Sequence, residues 1–184
     1  MDTLLPDTAL PFRFCPMCGS PRFVPASPRS RRCADCGFEY FLNSAAAVVA
    51  LLVRPTGEIL VSRRARNPQM GTLDFPGGFV DPDEKMEMAV LREMREETGL
   101  EVKVVKWLFS QPNRYEYAGM AIPTVDNFFL CTAENKLELH PHDDVAELLW
   151  LPLDKLDAGL FGLDSMRAAI PVIQRMLGRP ASNE

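Results

Sequence analysis

The sequence has few of the features that direct a protein to a membrane, out of the cell or onto nucleic acid. Its longest apolar run, Ala45–Val53, covers nine residues, about half of what a membrane-spanning helix needs. The first twelve residues, MDTLLPDTALPF, contain acids and prolines and lack the basic-then-apolar order of a secretory signal. The formal net charge of −5 argues against general binding to nucleic acid. We therefore expect a cytoplasmic protein with no membrane association.

Four of the five cysteines occur in two short units of the same form. The units are Cys15-Pro-Met-Cys18-Gly and Cys33-Ala-Asp-Cys36-Gly, with fourteen residues between Cys18 and Cys33. Each unit directs two thiolates from one turn, and its glycine accepts the positive φ that such a turn needs. Two units complete a closed tetrahedral Zn²⁺ site, which is structural because no coordination position remains for water. A redox dithiol and a pair of disulfides are the alternatives.

The length of 184 residues suits one medium-sized domain with a small appendage. We assign residues 1–42 to a leader and a four-cysteine zinc ribbon, and residues 43–184 to the larger domain. Strands before and after a central helix predict an α/β layered fold for that domain. The predicted elements are strands at Ala45–Val53, Glu58–Arg64, Val102–Ser110, Thr124–Cys131 and Glu147–Leu151, and a helix at Leu163–Leu177 that Pro171 should kink or split.

The segment Gly78–Leu100, GFVDPDEKMEMAVLREMREETGL, contains the signals of a helix with an unusual polar face. Asp81-Pro82-Asp83 predicts a helix start with a capping carboxylate, and Gly99 predicts its end. At about 100° per residue, three glutamates of this helix share one face. They are Glu93, Glu96 and Glu97.

Three adjacent carboxylates repel one another unless a cation lies among them. Mg²⁺ and Mn²⁺ prefer oxygen ligands, and Mg²⁺ usually binds through a few carboxylates together with substrate phosphates. The face formed by Glu93, Glu96 and Glu97 therefore predicts a site for a divalent metal ion. A solvated acidic face with surface ion pairs is the alternative.

The order of residues in this segment is similar to the signature of the Nudix hydrolases. That signature reads Gly, five residues, Glu, seven residues, then Arg-Glu-aliphatic-x-Glu-Glu-x-Gly-aliphatic. Gly78 and Glu84 occupy its first two positions, and Arg92–Leu100 occupies the rest. The resemblance implies the α/β/α sandwich of this family, with a mixed sheet over about residues 43–178.

The resemblance also implies roles for individual residues. Arg92 is expected to orient the glutamates, and Glu84 to secure the loop or an outer shell of the metal site. The general base would be one of the three glutamates or an acid from the loop at 143–147. The catalytic Mg²⁺ or Mn²⁺ ions would be bound by Gly78, Glu93, Glu96 and Glu97.

The tripeptide Ser110-Gln111-Pro112 bears on the substrate. Together with a zinc ribbon, it resembles the NADH pyrophosphatase branch of the family. That branch continues into Trp-Pro-Phe-Pro-x-Ser, whereas this chain reads NRYEYAGM over Asn113–Met120, so the substrate class also includes ADP-ribose and FAD. A strand-ending turn and simple aromatic packing are the alternatives. The candidate substrate contacts are Ser110, Gln111, Tyr115 and Tyr117.

Two further groups of charged residues are candidates for the site. Asp144 and Glu147 precede Trp150, where related hydrolases often place another acid that holds metal or positions water. Arg63 and Arg64 lie at the end of the predicted strand Glu58–Arg64 and are candidate contacts for a pyrophosphate. A solvated loop and exposed positive charge are the respective alternatives.

These observations predict a metal-dependent hydrolase of a nucleoside diphosphate linked to another moiety. The small-molecule substrate would be ADP-ribose, FAD or NAD(H)-like, and the products a nucleoside monophosphate and a second phosphorylated compound. RNA capped with NAD contains the same linkage and is the one nucleic acid expected as a partner; a homodimer is compatible with the resemblance. The alternatives are a hydrolase of oxidised nucleoside triphosphates and a non-enzymatic sensor or nucleic-acid-binding regulator.

Overall fold

The computed structural model describes residues 12–133, 139–141 and 144–178. The chain falls into two units, the first formed by the residues through Ser44 together with Tyr115–Pro123. The second contains Ala45–Arg114 and the residues from Thr124 onward. Neither of the α-helices in the described ranges has the length and apolar character that crossing a bilayer demands.

The ribbon of the first unit is a small antiparallel sheet of order β1-β2-β3. Among the described residues, its apolar core consists of Cys15, Phe23 and Cys33, with Phe38 and Tyr40 packed against them. So small a core contributes little to folding, which favours a metal ion as the stabilising element. The strands are β1 (Phe23–Ser27), β2 (Ser30–Cys33) and β3 (Glu39–Phe41).

Two further sheets are built mainly from strands of the second unit. One has the order β7-β4-β9-β8 and is mixed, because β4 runs parallel to β9 and antiparallel to β7. The other has the order β10-β5-β6 and is antiparallel. The strands are β4 (Ala45–Leu52), β5 (Glu58–Arg64), β6 (Leu73–Asp74), β7 (Gly77–Phe79), β8 (Val102–Tyr117), β9 (Met120–Ala133) and β10 (Val145–Pro152).

The helices α1 (Met86–Thr98) and α2 (Asp164–Leu177) cover opposite faces of the mixed sheet. Side chains alternate between the two faces of a strand, and the even-numbered residues of β4 pack into one core with the buried side of α1. On the other face, Asp126 of β9 accepts a hydrogen bond from Ser165 of α2 at 2.5 Å. A mixed sheet between two helix layers confirms the predicted α/β/α sandwich. The α1-side core includes Val48, Ala50, Leu52, Ala89, Val90, Met94, Phe129 and Cys131.

Strand β8 is longer than predicted. We expected it to end at Ser110, but it continues to Tyr117. Pro112 is tolerated because β8 is an edge strand in the sheet order, the position in a sheet where proline is accepted. The chain then reverses through Ala118 and Gly119, whose φ values of 49° and 78° suit a two-residue hairpin turn.

Two expectations about the helices were also wrong. Helix α1 begins after Lys85, which has no capping side chain, so the carboxylates of Asp81 and Asp83 do not cap it. Pro171 lies inside an unbroken α2. Pro171 and Arg167 are both exposed, so water can satisfy the Arg167 carbonyl group that loses its helical partner.

Candidate active site

The two glycines of β7 bring the backbone close to the glutamates of α1. Gly77 has φ 152°, and a Cβ there would lie 2.1 Å from the carbonyl oxygen of Val48, so only glycine fits. Its N–H donates to Glu97 Oε2 at 3.0 Å. A Cβ on Gly78 would lie 2.4 Å from Glu93 Oε1. The absence of side chains thus lets both carboxylates lie directly against the strand.

The clustered glutamates of α1, Glu93, Glu96 and Glu97, lie at different depths. Met94 is fully buried and anchors the helix in the core, while Glu93 and Glu96 are 13% and 49% exposed. Burial raises the pKa of Glu93 in spite of the neighbouring Arg92. Ionising Glu93 therefore costs free energy that a bound cation would offset.

Arg92 joins the carboxylates into one cluster. Its Nε and Nη2 donate to both oxygens of Glu84 at 3.0 and 2.9 Å, a bidentate pair. Its Nη1 donates to Glu93 Oε1 at 2.7 Å and Glu96 Oε2 at 3.1 Å, and Nη2 also donates to the carbonyl oxygen of Phe79 at 3.0 Å. The hydrogen bonds with Arg92 lower the pKa of Glu84. Every donor of this guanidinium that points at the cluster has an acceptor.

The cluster fits a hard divalent cation. Its carboxylates outnumber its single guanidinium, and all its acceptors are oxygen atoms, as Mg²⁺ and Mn²⁺ require. Glu93 also occupies the space that a side chain on Gly78 would fill. The carboxylates are Glu84, Glu93, Glu96 and Glu97.

We expect Gly78→Ala to reduce kcat/KM by about 100-fold, because a displacement of about 1 Å in a catalytic group has an effect of this order. The new Cβ would collide with the end of a flexible side chain, so the melting temperature should change little. Steady-state kinetics and calorimetry measure both effects. Gly159→Ala, in a surface turn whose nearest atom to the new Cβ is 3.2 Å away, is the matched control. Unchanged turnover in Gly78→Ala would contradict the close approach.

The predicted acids of the β10 region pair with arginines. Asp144 lies 2.8 Å from Arg66, and Glu147 accepts from Arg63 Nε at 3.0 Å. The structure thus brings together the predicted acid Glu147 and the predicted substrate contact Arg63. Their catalytic and binding roles stay predictions, and Asp143 lies outside the described residues.

Arg64 forms an ion pair with the buried Asp74. Its Nη1 donates to Asp74 at 2.6 Å, and its Nε donates to the carbonyl oxygen of Pro68 at 2.7 Å. Burial raises the pKa of Asp74, and the charge of Arg64 opposes that rise. Arg64 therefore has a structural contact within its own domain, and its role as a substrate contact stays a prediction.

The remaining predicted contacts are spread along β8. Ser110 is exposed and Gln111 half-buried, and both belong to the second unit. Tyr115 is half-buried, Tyr117 is exposed, and both belong to the first unit. No motif indicates that Trp107, on the same strand, is hydrogen-bonded through its indole to Asn127.

The four cysteines of the ribbon converge. Their Sγ atoms all lie within 4.8 Å of one another. The distances are 3.7 Å from Cys15 to Cys36 and 3.7 Å from Cys18 to Cys33, far beyond the S–S bond length of about 2.05 Å. Sulfurs bound tetrahedrally at about 2.3 Å from zinc are separated by about 3.75 Å. The cluster therefore has the geometry of a zinc ribbon and not of disulfides.

The chain belongs to the Nudix family, because the profile of the NUDIX domain matches residues 43–170. Among solved structures, a NUDIX hydrolase from Nitrosomonas europaea is 20% identical, with a TM-score of 0.68 over 94% of this chain and 97% of that one; at this identity it shows the fold alone. A MutT NUDIX hydrolase from Burkholderia pseudomallei is 29% identical, with a TM-score of 0.60 over 70% of this chain and 97% of that one.

Curated relatives include proteins named NAD-capped RNA hydrolase NudC. The protein from Deinococcus radiodurans is 35% identical over 116 residues, which are 62% of this chain and 41% of the relative. The protein from Stutzerimonas stutzeri is 28% identical over 169 residues, 91% of this chain and 58% of the relative. The chain thus spans about half the length of the curated relatives that it matches.

Proposed function

We propose that this protein is a divalent-metal-dependent hydrolase of the pyrophosphate bond in a nucleoside diphosphate linked to another moiety. The observation that carries the proposal is the cluster centred on Arg92. One guanidinium holds Glu84, Glu93 and Glu96, while Glu97 is held by the backbone of Gly77. Such an arrangement of acids suits the binding of a cation together with substrate phosphates.

The residues of the cluster have distinct tasks in this proposal. Glu93, Glu96 and Glu97, with the carbonyl group of Gly78, hold the metal ions. Arg92 keeps two of these carboxylates in a fixed orientation, and Glu84 fixes Arg92 through its bidentate pair. A divalent ion such as Mg²⁺ or Mn²⁺ held by these residues would supply Lewis acidity to the phosphoryl oxygens and would lower the pKa of a water molecule.

The reaction adds one water molecule across the pyrophosphate. The water oxygen forms a bond to one phosphorus atom, and the bond from that phosphorus to the bridging oxygen breaks. A glutamate of the cluster or Asp144 accepts the proton of the water. The bridging oxygen leaves on the second phosphate, so that both products are monophosphates.

The proposed substrates are ADP-ribose, FAD and NAD(H), with NAD-capped RNA as the one nucleic acid. The names of the NudC relatives and the tripeptide Ser110-Gln111-Pro112 support substrates with an NAD-type linkage. Residues Asn113–Met120 differ from the Trp-Pro-Phe-Pro-x-Ser stretch of the NADH pyrophosphatase branch. The proposed substrate class therefore includes ADP-ribose and FAD as well as NAD(H). We further propose structural Zn²⁺ in the four-cysteine cluster; a cytoplasmic location and a homodimer stay predictions from the sequence.

A panel of substrates tests the proposal. The wild-type protein should convert at least one of ADP-ribose, FAD, NADH and NAD⁺ to two organic monophosphates with Mg²⁺ or Mn²⁺, and EDTA should abolish the reaction. Release of inorganic pyrophosphate from 8-oxo-dGTP, with no cleavage of the other compounds, would favour a hydrolase of oxidised nucleotides. Salt-sensitive RNA binding with no hydrolysis of any compound would favour a regulator.

A further inference from the structure

Trp107 is an exposed indole that the fold holds in one orientation. Its residue is 54% exposed, yet its Nε1 donates to Asn127 Oδ1 at 3.4 Å. Asn127 is only 7% exposed, and its amide nitrogen donates to the carbonyl oxygens of Ala47 and Val125 at 3.2 and 3.0 Å. These contacts fix which end of the amide faces Trp107. The buried side chain of Asn127 thus orients the indole ring of Trp107, which remains exposed to solvent.

The row of residues beneath this indole leads to the catalytic cluster. Asn127 lies opposite Val48 in the pairing of β4 with β9, and Val48 lies opposite Gly78 in the pairing of β4 with β7. Strand alternation puts these residues on the α1 face, where Glu93 lies against Gly78. Three strand spacings put β8 about 14 Å from β7. Through its hydrogen bond to Asn127, Trp107 therefore lies beside the row that leads to Gly78 and Glu93, three strands away from these residues.

On the α1 face of the sheet, the residues become more exposed from Val48 toward the start of β4. Ala46 and Val125 are paired on the same face, one row beyond Val48 and Asn127. Both are half-buried, whereas Val48 is 1% exposed. Ala46 contributes only a methyl group to this row, between Val125 of β9 and Val80, whose N–H donates to the carbonyl oxygen of Ala46 at 3.0 Å.

We propose that Trp107 stacks on a flat ring of the substrate and so selects for ligands in which a ring is joined to the pyrophosphate through a sugar. This inference rests on the proposed pyrophosphatase function and assigns a specificity-determining residue to the same site. A planar aromatic face suits adenine and nicotinamide alike, because every such ring has a π-face. The orientation fixed by Asn127 reduces the entropy that stacking would otherwise cost.

A binding experiment tests the stacking without any turnover. The sequence contains two tryptophans, Trp107 and Trp150, so the full-length Trp150→Phe variant has one fluorophore. AMP or NMN should quench its emission saturably, whereas ribose 5-phosphate, which differs from AMP by the absence of adenine, should not. Absence of quenching by both AMP and NMN would overturn the proposal.

Kinetics on the hydrolysed substrate give a second test. Trp107→Ala should raise KM by roughly 10-fold with a smaller effect on kcat, since a stacked base contributes binding of this order, and Trp107→Phe should restore most of the affinity. Val105→Ala, on the same strand and 53% exposed, is the matched control and should leave KM unchanged.

The outcomes separate this inference from the proposed function. Failure of the wild-type protein to cleave any substrate of the panel overturns the function, while AMP quenching still reports on the stacking. Normal cleavage with an unchanged KM in Trp107→Ala overturns the stacking alone. A change in oligomeric state in Trp107→Ala, measured by light scattering, with unchanged AMP binding, would assign Trp107 to an interface between two copies of the chain.

Discussion

Glu97→Gln is expected to lower kcat by about 1,000-fold or more while the melting temperature stays nearly unchanged. A metal ion contributes several kcal/mol to stabilising the developing charge, and each 1.36 kcal/mol corresponds to about tenfold in rate. Glutamine has the shape of glutamate, and its carbonyl oxygen can still accept the hydrogen bond that Gly77 donates to Glu97. The substitution therefore removes the charge and keeps the contact with β7.

The matched control for this variant is Glu87→Gln. Glu87 lies in the first turn of α1 and is exposed, so its charge is removed from the same helix without touching the cluster. We expect Glu87→Gln to retain normal kcat and KM. Near-normal hydrolysis by Glu97→Gln of every accepted substrate would show that Glu97 is not a metal ligand.

Loss of the metal ion from the ribbon is expected to unfold it. The buried apolar residues of the ribbon are few, and units of fewer than about 40 residues usually need a metal or disulfides. Structural zinc contributes about 10–16 kcal/mol in comparable small domains. Cys33→Ser should therefore abolish stoichiometric zinc binding and the protection of β1–β3 from hydrogen exchange.

The second unit provides the internal reference in that experiment. Its core is formed by β4, β9 and α1, so we expect their amide protection to persist in Cys33→Ser. Cys131→Ala removes a cysteine that is buried in this core and should retain a full complement of zinc. Elemental analysis showing normal zinc in Cys33→Ser, or unchanged protection of β1–β3, would contradict a structural metal site.

The features that can be predicted from the sequence are those whose residues lie close together along the chain. Glu93, Glu96 and Glu97 lie within two turns of one helix, so helical periodicity alone puts them together. The same holds for the cysteines, because the two cysteines of each unit lie in a single turn. The order of strands and helices predicts the layers, because each element must bury one apolar face.

The features that could not be predicted depend on strand register. Glu147 reaches Arg63 only because β10 pairs with β5. The same holds for the contact between Trp107 and Asn127, which lie on different strands. The continuation of β8 past Pro112 depends on β8 lying at the edge of the sheet. These contacts depend on which strands become neighbours in the packed sheet, and no motif in this sequence specifies those neighbours.

The most direct test of the proposed reaction is hydrolysis of ADP-ribose with Mg²⁺ in H₂¹⁸O, followed by mass spectrometry of the products. Attack of water on one phosphorus atom predicts AMP and ribose 5-phosphate in equal amounts, with one ¹⁸O atom in only one product of each cleavage. The reaction should disappear with EDTA and in Glu97→Gln. If ADP-ribose is inert, FAD, NADH and NAD⁺ are tested in the same way. Inorganic phosphate or pyrophosphate as the product, or no metal-dependent cleavage of any of the four, would contradict the account.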